Sequence, residues 1–152
     1  MMNLPQISVD MGKSLAMCFG CGPDNPIGLK LDFKRDHNTA SAEFTPEESH
    51  QGWHGIVHGG IIGCLLDEAM GYATFFEGIT CLTAKMQLRI RRPALVGEPL
   101  IITSSITRRT RRLVETEAAV ALKDGTPVAE STATMFVIQP SQEDLNSKGG
   151  KV

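Results

Sequence analysis

Asp67 and Glu68 stand side by side inside an otherwise apolar run, HGGIIGCLLDEAMG, which His58, Gly59 and Gly60 open. A carboxylate in a segment that reads as core is costly unless it is paired or reactive. Its reactive uses are two: it takes a proton from water, or it attacks a carbonyl carbon. The His-Gly-Gly start supplies a complement. The first amides of a helix have no intrahelical acceptor, and the helix dipole favours negative charge beside them. Gly59 and Gly60 would let a carbonyl approach those amides closely, which is what an oxyanion site needs. The same two glycines would also ease a tight junction between loop and helix, without any chemistry.

Helical periodicity sorts this segment into faces. Ile61, Leu65, Tyr72 and Phe75 share one stripe, and Ile62, Leu66 and Ala69 the next. Gly60, Gly63, Cys64, Asp67, Gly71 and Thr74 form a third, on which every residue but Asp67 is small. Asp67 therefore sits on the floor of a groove that another backbone or a thin ligand could approach. Glu68, one step round, reads as a rim charge, half of an ion pair or a second carboxylate. From Gly59 to Asp67 is a rise of about 12 Å along a helix, so one carbonyl carbon cannot reach both. Two antiparallel helices related by a two-fold axis solve this, which makes the expected unit a homodimer with composite sites.

The elements that would carry these residues follow from alternation and turn signals. Strands are expected over Gly28–Arg35 and Thr39–Thr45, a helix over about His58–Phe76, then strands over Thr80–Arg91, Pro99–Arg109, Arg112–Lys123 and Pro127–Ile138. Short turns join the last three, so an antiparallel meander is the natural arrangement. The fold class is α+β, one long helix packed on a single curved antiparallel sheet of about six strands. A single domain spans residues 18–139, residues 1–17 are a short helix or coil, and 140–152 read as a frayed polar tail.

The 152 residues suffice for one core, and a net charge of −2 gives no general attraction to nucleic acid or membrane. The start, MMNLPQISVDMGKSLAM, holds no continuous apolar stretch of the kind an export signal has, and no run is long enough to span a bilayer. Four cysteines in such a chain read as reduced thiols in a cytoplasmic protein. Cys18 and Cys21 form a lone C-x-x-C amid Gly20, Gly22, Pro23 and Pro26, a loop rather than a zinc site, and no metal is expected.

HGGIIGCLLDEAMG, the downstream LTAKMQLRIRRPALVGEPL and the upstream CFGCGPDNPIGL together resemble the hotdog-fold thioesterases of the phenylacetate-degradation type. The branch most resembled includes the human thioesterase superfamily members. The likeness runs from Cys18 to Ile138. It implies a long helix wrapped by an antiparallel sheet and a dimer, often a dimer of dimers. It matches the family's acidic helix residue to Asp67, its oxyanion glycine to Gly59, and an assisting threonine to Thr83. Two departures stand out: Gln51 is the only amide near the place where many members carry Asn before the His, and Gly71 replaces a hydroxyl residue.

The implied reaction is hydrolysis of an acyl-CoA, with His58 holding the loop in shape and no cofactor required. Lys85, Arg89, Arg91, Arg92, Arg108, Arg109, Arg111 and Arg112 face only Glu98 in their stretch of sequence. Arg91, Arg92, Arg108, Arg109 and Arg111 are therefore candidate contacts for CoA phosphates, or else a solvated strand face. Without interleaved aromatics this cluster does not suggest nucleic acid. Met70, Phe75, Phe76, Met86 and Trp53 are candidates to line an acyl pocket. A non-catalytic acyl-CoA binder and a hydratase or dehydratase using His54 or His58 are the competing readings.

Overall fold

The computed structural model describes residues 9–139; the first eight residues and the expected tail lie outside them. The chain divides between Asp32 and Phe33 into two compact units.

The first unit opens with helix α1, Met11–Met17, capped where the Asp10 side chain accepts the Lys13 amide. The C-x-x-C that follows is the turn expected of it: the Gly22 amide donates to the Cys18 carbonyl at 2.8 Å. A Cβ at Gly22 would lie 2.5 Å from the Cys18 nitrogen, so only glycine fits. Asn25 donates to the Met17 carbonyl, and the Lys30 ammonium donates to the carbonyls of Pro23 and Asn25. These contacts close the loop on itself.

The strand expected over Gly28–Arg35 is mostly not a sheet strand. Leu29, Leu31 and Phe33 are buried as the alternation requires. Yet Leu29 and Leu31 donate to the Phe19 and Gly20 carbonyls, and Lys30 takes a positive φ of 53°. That left-handed residue breaks the pleat, and only Lys34–Asp36 pairs in the sheet.

In the second unit the elements are β1 Lys34–Asp36, β2 Thr39–Phe44, a short 3-10 turn Glu48–His50, α2 Gly59–Phe75, β3 Thr80–Ile90, β4 Leu100–Arg109, β5 Leu113–Leu122 and β6 Pro127–Gln139. All pairs are antiparallel, in the order β1-β2-β4-β5-β6-β3. The meander of the last three strands forms as expected, and β3 joins it on the far side of β6. This is the wrapped-helix, hotdog arrangement.

Helix α2 lays Ile62, Leu65, Leu66, Ala69, Met70 and Ala73 on the inner face of the sheet, all buried. The helix packs on β4, β5 and β6, whose Leu100, Ile102, Val114, Val120 and Met135 are buried as well. Thr74, grouped by period with the small open stripe, is instead 1% exposed and belongs to this core face. Its hydroxyl donates to the Gly71 carbonyl. Met70, a candidate pocket residue, is likewise core. The buried Ser104 hydroxyl donates to the Ala69 carbonyl at 2.5 Å and pins the helix to β4. The helix ends in a Schellman turn, with Gly78 at φ 73° and the Ile79 amide on the Thr74 carbonyl. Arg35 donates to the Phe76 carbonyl and pairs with Glu77, placing a cation at the negative end of the dipole. Among the described residues no helix is long and apolar enough to cross a membrane.

Candidate active site

Two loops aim the start of α2. The segment before it is pinned to the strap between β3 and β4: Val57 donates to Ala94, Val96 to Gly55 and Gly97 to Pro46. Inside the first loop, the Gln51 side-chain oxygen accepts the Gly55 amide at 3.0 Å, and the His58 amide donates to the His50 carbonyl. Gln51 is therefore a loop pin, with its carbonyl already engaged. Arg92 lies 3.6 Å from Glu98, half-buried, and closes the strap across its own ends.

His58 is the N-cap. Its Nδ1 accepts the Gly60 amide at 2.8 Å, which requires that nitrogen to be unprotonated. The bond narrows the oxyanion reading, because the Gly60 N–H is consumed and cannot also meet a substrate carbonyl. It also accounts for the second glycine, since a Cβ there would lie 3.0 Å from the imidazole. The Gly59 N–H, in the exposed first turn, donates to no group among the described residues. Of the two glycines, Gly59 alone presents a free donor.

Asp67 lies two turns further on, half-buried, with its Oδ1 accepting the Thr83 hydroxyl at 2.6 Å. A bond this short to a carboxylate is charge-assisted. It depends on an irregularity in β3. Thr83 pairs with Met135, but Lys85 already pairs with Thr134, which leaves Ala84 as the extra residue of a β-bulge. Beyond the bulge, Met86, Leu88 and Ile90 lie opposite Ala133, Ser131 and Ala129, all buried on the helix side. The bulge lets Thr83 and this apolar trio address the same helix. Gly59 and Gly63 accept the trio: a Cβ on Gly59 would meet Ile90 at 3.6 Å, and one on Gly63 would meet Leu88 at 3.9 Å. Part of the small-residue stripe thus packs against the chain's own strand, whereas Gly71 faces open space.

Cys64 is one turn before Asp67. Burial, then the Asp67 and Glu68 carboxylates, push its thiol above the usual range. Glu68 is half-buried and has interactions of its own.

The candidate arginines separate into two groups at opposite ends of the sheet. Arg91 and Arg92 follow Ile90; Arg108 and Arg109 end β4, and Arg111 lies in the turn to β5. Arg91 bonds Glu130 at 2.5 Å, which raises the guanidinium pKa and lowers that of the carboxylate. Arg109 stands opposite the buried Val114, so it points to the helix side. Of the candidate pocket residues, Trp53 is 84% exposed and Met86 is half-buried against Gly63. Phe75 and Phe76 join Tyr72 in an aromatic cluster at the C-terminal end of α2.

An open hollow of about 850 Å³ lies on the other face of the sheet, among Gln87, Arg89, Thr103, Ser105, Glu117 and Thr132. It is remote from Asp67 and Gly59. The twist of a broad polar sheet face accounts for it without any ligand.

A family model described as the thioesterase superfamily matches residues 54–129. An uncharacterized protein of Schizosaccharomyces pombe is 29% identical over 106 residues, 67% of this chain and 61% of that one. A solved thioesterase superfamily protein, 26% identical, overlaps 80% of this chain and 63% of its own with a TM-score of 0.75. This chain therefore spans less than two thirds of either relative. A hypothetical thioesterase of Streptococcus pneumoniae, solved with coenzyme A, is 18% identical and covers 74% of this chain and 88% of its own, with a TM-score of 0.69.

Proposed function

Because this chain belongs to the thioesterase superfamily, we propose that its Asp67–Thr83 pair serves the hydrolysis of an acyl-CoA thioester. The observation that carries the reading is the 2.6 Å bond from the Thr83 hydroxyl to one oxygen of Asp67, whose other oxygen has no hydrogen-bond partner among the described residues. The coenzyme A bound by the pneumococcal protein of the same fold supports the substrate class.

The site is completed by a second copy. Both Gly59 and Asp67 belong to α2, eight residues and about 12 Å apart. The Gly59 amide of one copy polarises the thioester carbonyl and stabilises the oxyanion, and Asp67 of the other acts on the same carbon. Either Asp67 takes a proton from water as the water oxygen bonds to that carbon, or its free oxygen attacks to give an anhydride that water then opens. In both routes the carbon–sulfur bond breaks, the CoA thiolate takes up a proton, and the acid is released. His58 holds the helix start rather than moving protons, because its Nδ1 is committed to Gly60.

A panel of acyl-CoA substrates of graded length, followed by free thiol, tests the reading beside Asp67→Asn. The variant should lose about 100- to 10,000-fold in kcat while still binding substrate. Label found in Asp67 after a single turnover in ¹⁸O-water establishes the attack route, since the general-base route puts label in the released acid alone. Wild-type protein that binds acyl-CoA but releases no thiol from any substrate would make this a binding protein. Hydration of crotonyl-CoA without thiol release would make it a hydratase.

A further inference from the structure

We infer that the β4–β5 hairpin tip, through Arg111 and Arg112, holds the phosphates of the CoA nucleotide, whereas Arg91 and Arg92 are braces. The inference rests on the acyl-CoA reading of the site and assigns its nucleotide end.

The two arginine groups differ in what they already touch. Arg91 is bonded to Glu130 and Arg92 lies against Glu98, so each brings a carboxylate to any anion that approaches. Arg111 and Arg112 are exposed, and among the described residues neither has an ion-pair partner. Arg108 is set apart from them: it stands opposite Glu115 and, alternating with Arg109, faces the other side of the sheet. Two adjacent guanidiniums in one turn form a concentrated positive surface on a chain of net charge −2. Guanidinium is the group best matched to phosphate.

The tip is also a rigid mount that does not need those side chains. Thr110 and Leu113 close it, with the Thr110 amide and hydroxyl both donating to the Leu113 carbonyl and the Leu113 amide donating back to the hydroxyl. The arginines are surplus to the turn.

Its position suits the length of the ligand. The Arg112 carbonyl accepts the Val137 amide, and Val137 lies opposite Cys81, two residues before Thr83. Two strand spacings and two residues of rise put the Arg112 backbone about 12 Å from Thr83. The pantetheine arm between thiol and diphosphate has a dozen bonds, the extended reach of about four residues, or roughly 14 Å. Arg91, eight residues beyond Thr83, is about 25 Å away in the same chain. A partner copy's Arg91 would come nearer, but it arrives with Glu130 already on it.

The test compares CoA, 3′-dephospho-CoA and pantetheine as ligands by calorimetry, and acyl-CoA with acyl-pantetheine as substrates. The Arg111→Ala/Arg112→Ala variant should bind CoA at least tenfold more weakly and raise KM for acyl-CoA by a similar factor. Its kcat and its handling of acyl-pantetheine should stay as in wild type. Arg91→Ala should not reproduce that selectivity. The assignment is overturned if the hairpin variant binds CoA as wild type does, if wild type binds no CoA, or if acyl-pantetheine suffers equally. It is overturned too if only an acyl carrier protein substrate is affected, since that ligand lacks the nucleotide. If CoA binds in an arginine-dependent way and no acyl-CoA is ever hydrolysed, the assignment stands and the hydrolase reading alone fails.

Discussion

Thr83 donates to one oxygen of Asp67, and that hydrogen bond does two things for a carboxylate that must react. It fixes the rotamer, and it leaves a single oxygen to face the substrate. A hydrogen bond to a charged group contributes about 1.5–3 kcal/mol, so Thr83→Val should lower kcat by about ten- to a hundredfold. KM should change little, because the hydroxyl need not touch the acyl chain; steady-state kinetics on a good acyl-CoA will show the split. Thr83→Ser should restore most of the rate. Asp67 was legible from periodicity alone, as the one large residue on a small stripe. Thr83 was not: regular alternation back from Met86 places it on the outer face, and only the family resemblance put it in the site. The commitment of the Gly60 amide to His58 was equally hidden, since it depends on how the imidazole turns.

At the scale of elements, the helix, the meander and their order could be read from periodicity and turn residues, because each is a local pattern. What failed was local geometry that leaves no compositional mark. Lys30 adopts a left-handed conformation that its residue type does not advertise, and the first expected strand shrinks to three residues as a result. Ala84 forms a bulge within a run, Leu82 to Ile90, whose apolar residues keep an unbroken alternation. The start of α2 offers the sharpest test of an element's role. If His58 is only a cap, His58→Asn should keep turnover within a few-fold, since asparagine caps helices well. His58→Ala should cost about 1 kcal/mol, and so lower Tm by about 2–4 °C. Equal and large losses of kcat in both variants, at unchanged Tm, would mark His58 as a proton-transfer group instead.

The whole molecule has one feature that a folded single chain leaves unresolved. The sheet has two edges: β1, three residues long and all charged, and β3, eleven residues long with only Lys85 and Arg89 charged. A long edge strand with Leu88 and Ile90 part exposed is a template for pairing unless something covers it. The composite site requires that cover to be a second β3, running antiparallel about a two-fold axis. Three observations then restrict the register. Gly59 lies against Ile90, and Asp67 bonds Thr83, so Ile90 of one copy must come opposite Thr83 of the other. Paired residues must also share a face, because a two-fold axis that sets the strands antiparallel would stand normal to the sheet and keep α2 of both copies on one side. Counting from that pair with Ala84 as an unpaired residue in each chain, the axis passes through Gln87. Opposed residues in an antiparallel ladder have Cα atoms about 4.5–5.5 Å apart, within disulfide range. Gln87→Cys should therefore give a covalent dimer on mild oxidation, seen on a non-reducing gel, whereas Arg89→Cys should not, its two copies being about 13 Å apart. Disulfide formation at 89 in place of 87 would move the axis by two residues and separate the Gly59 amide from Asp67. A monomer at micromolar concentration by light scattering would leave the carboxylate with no oxyanion donor within reach, and the proposed reaction could not proceed.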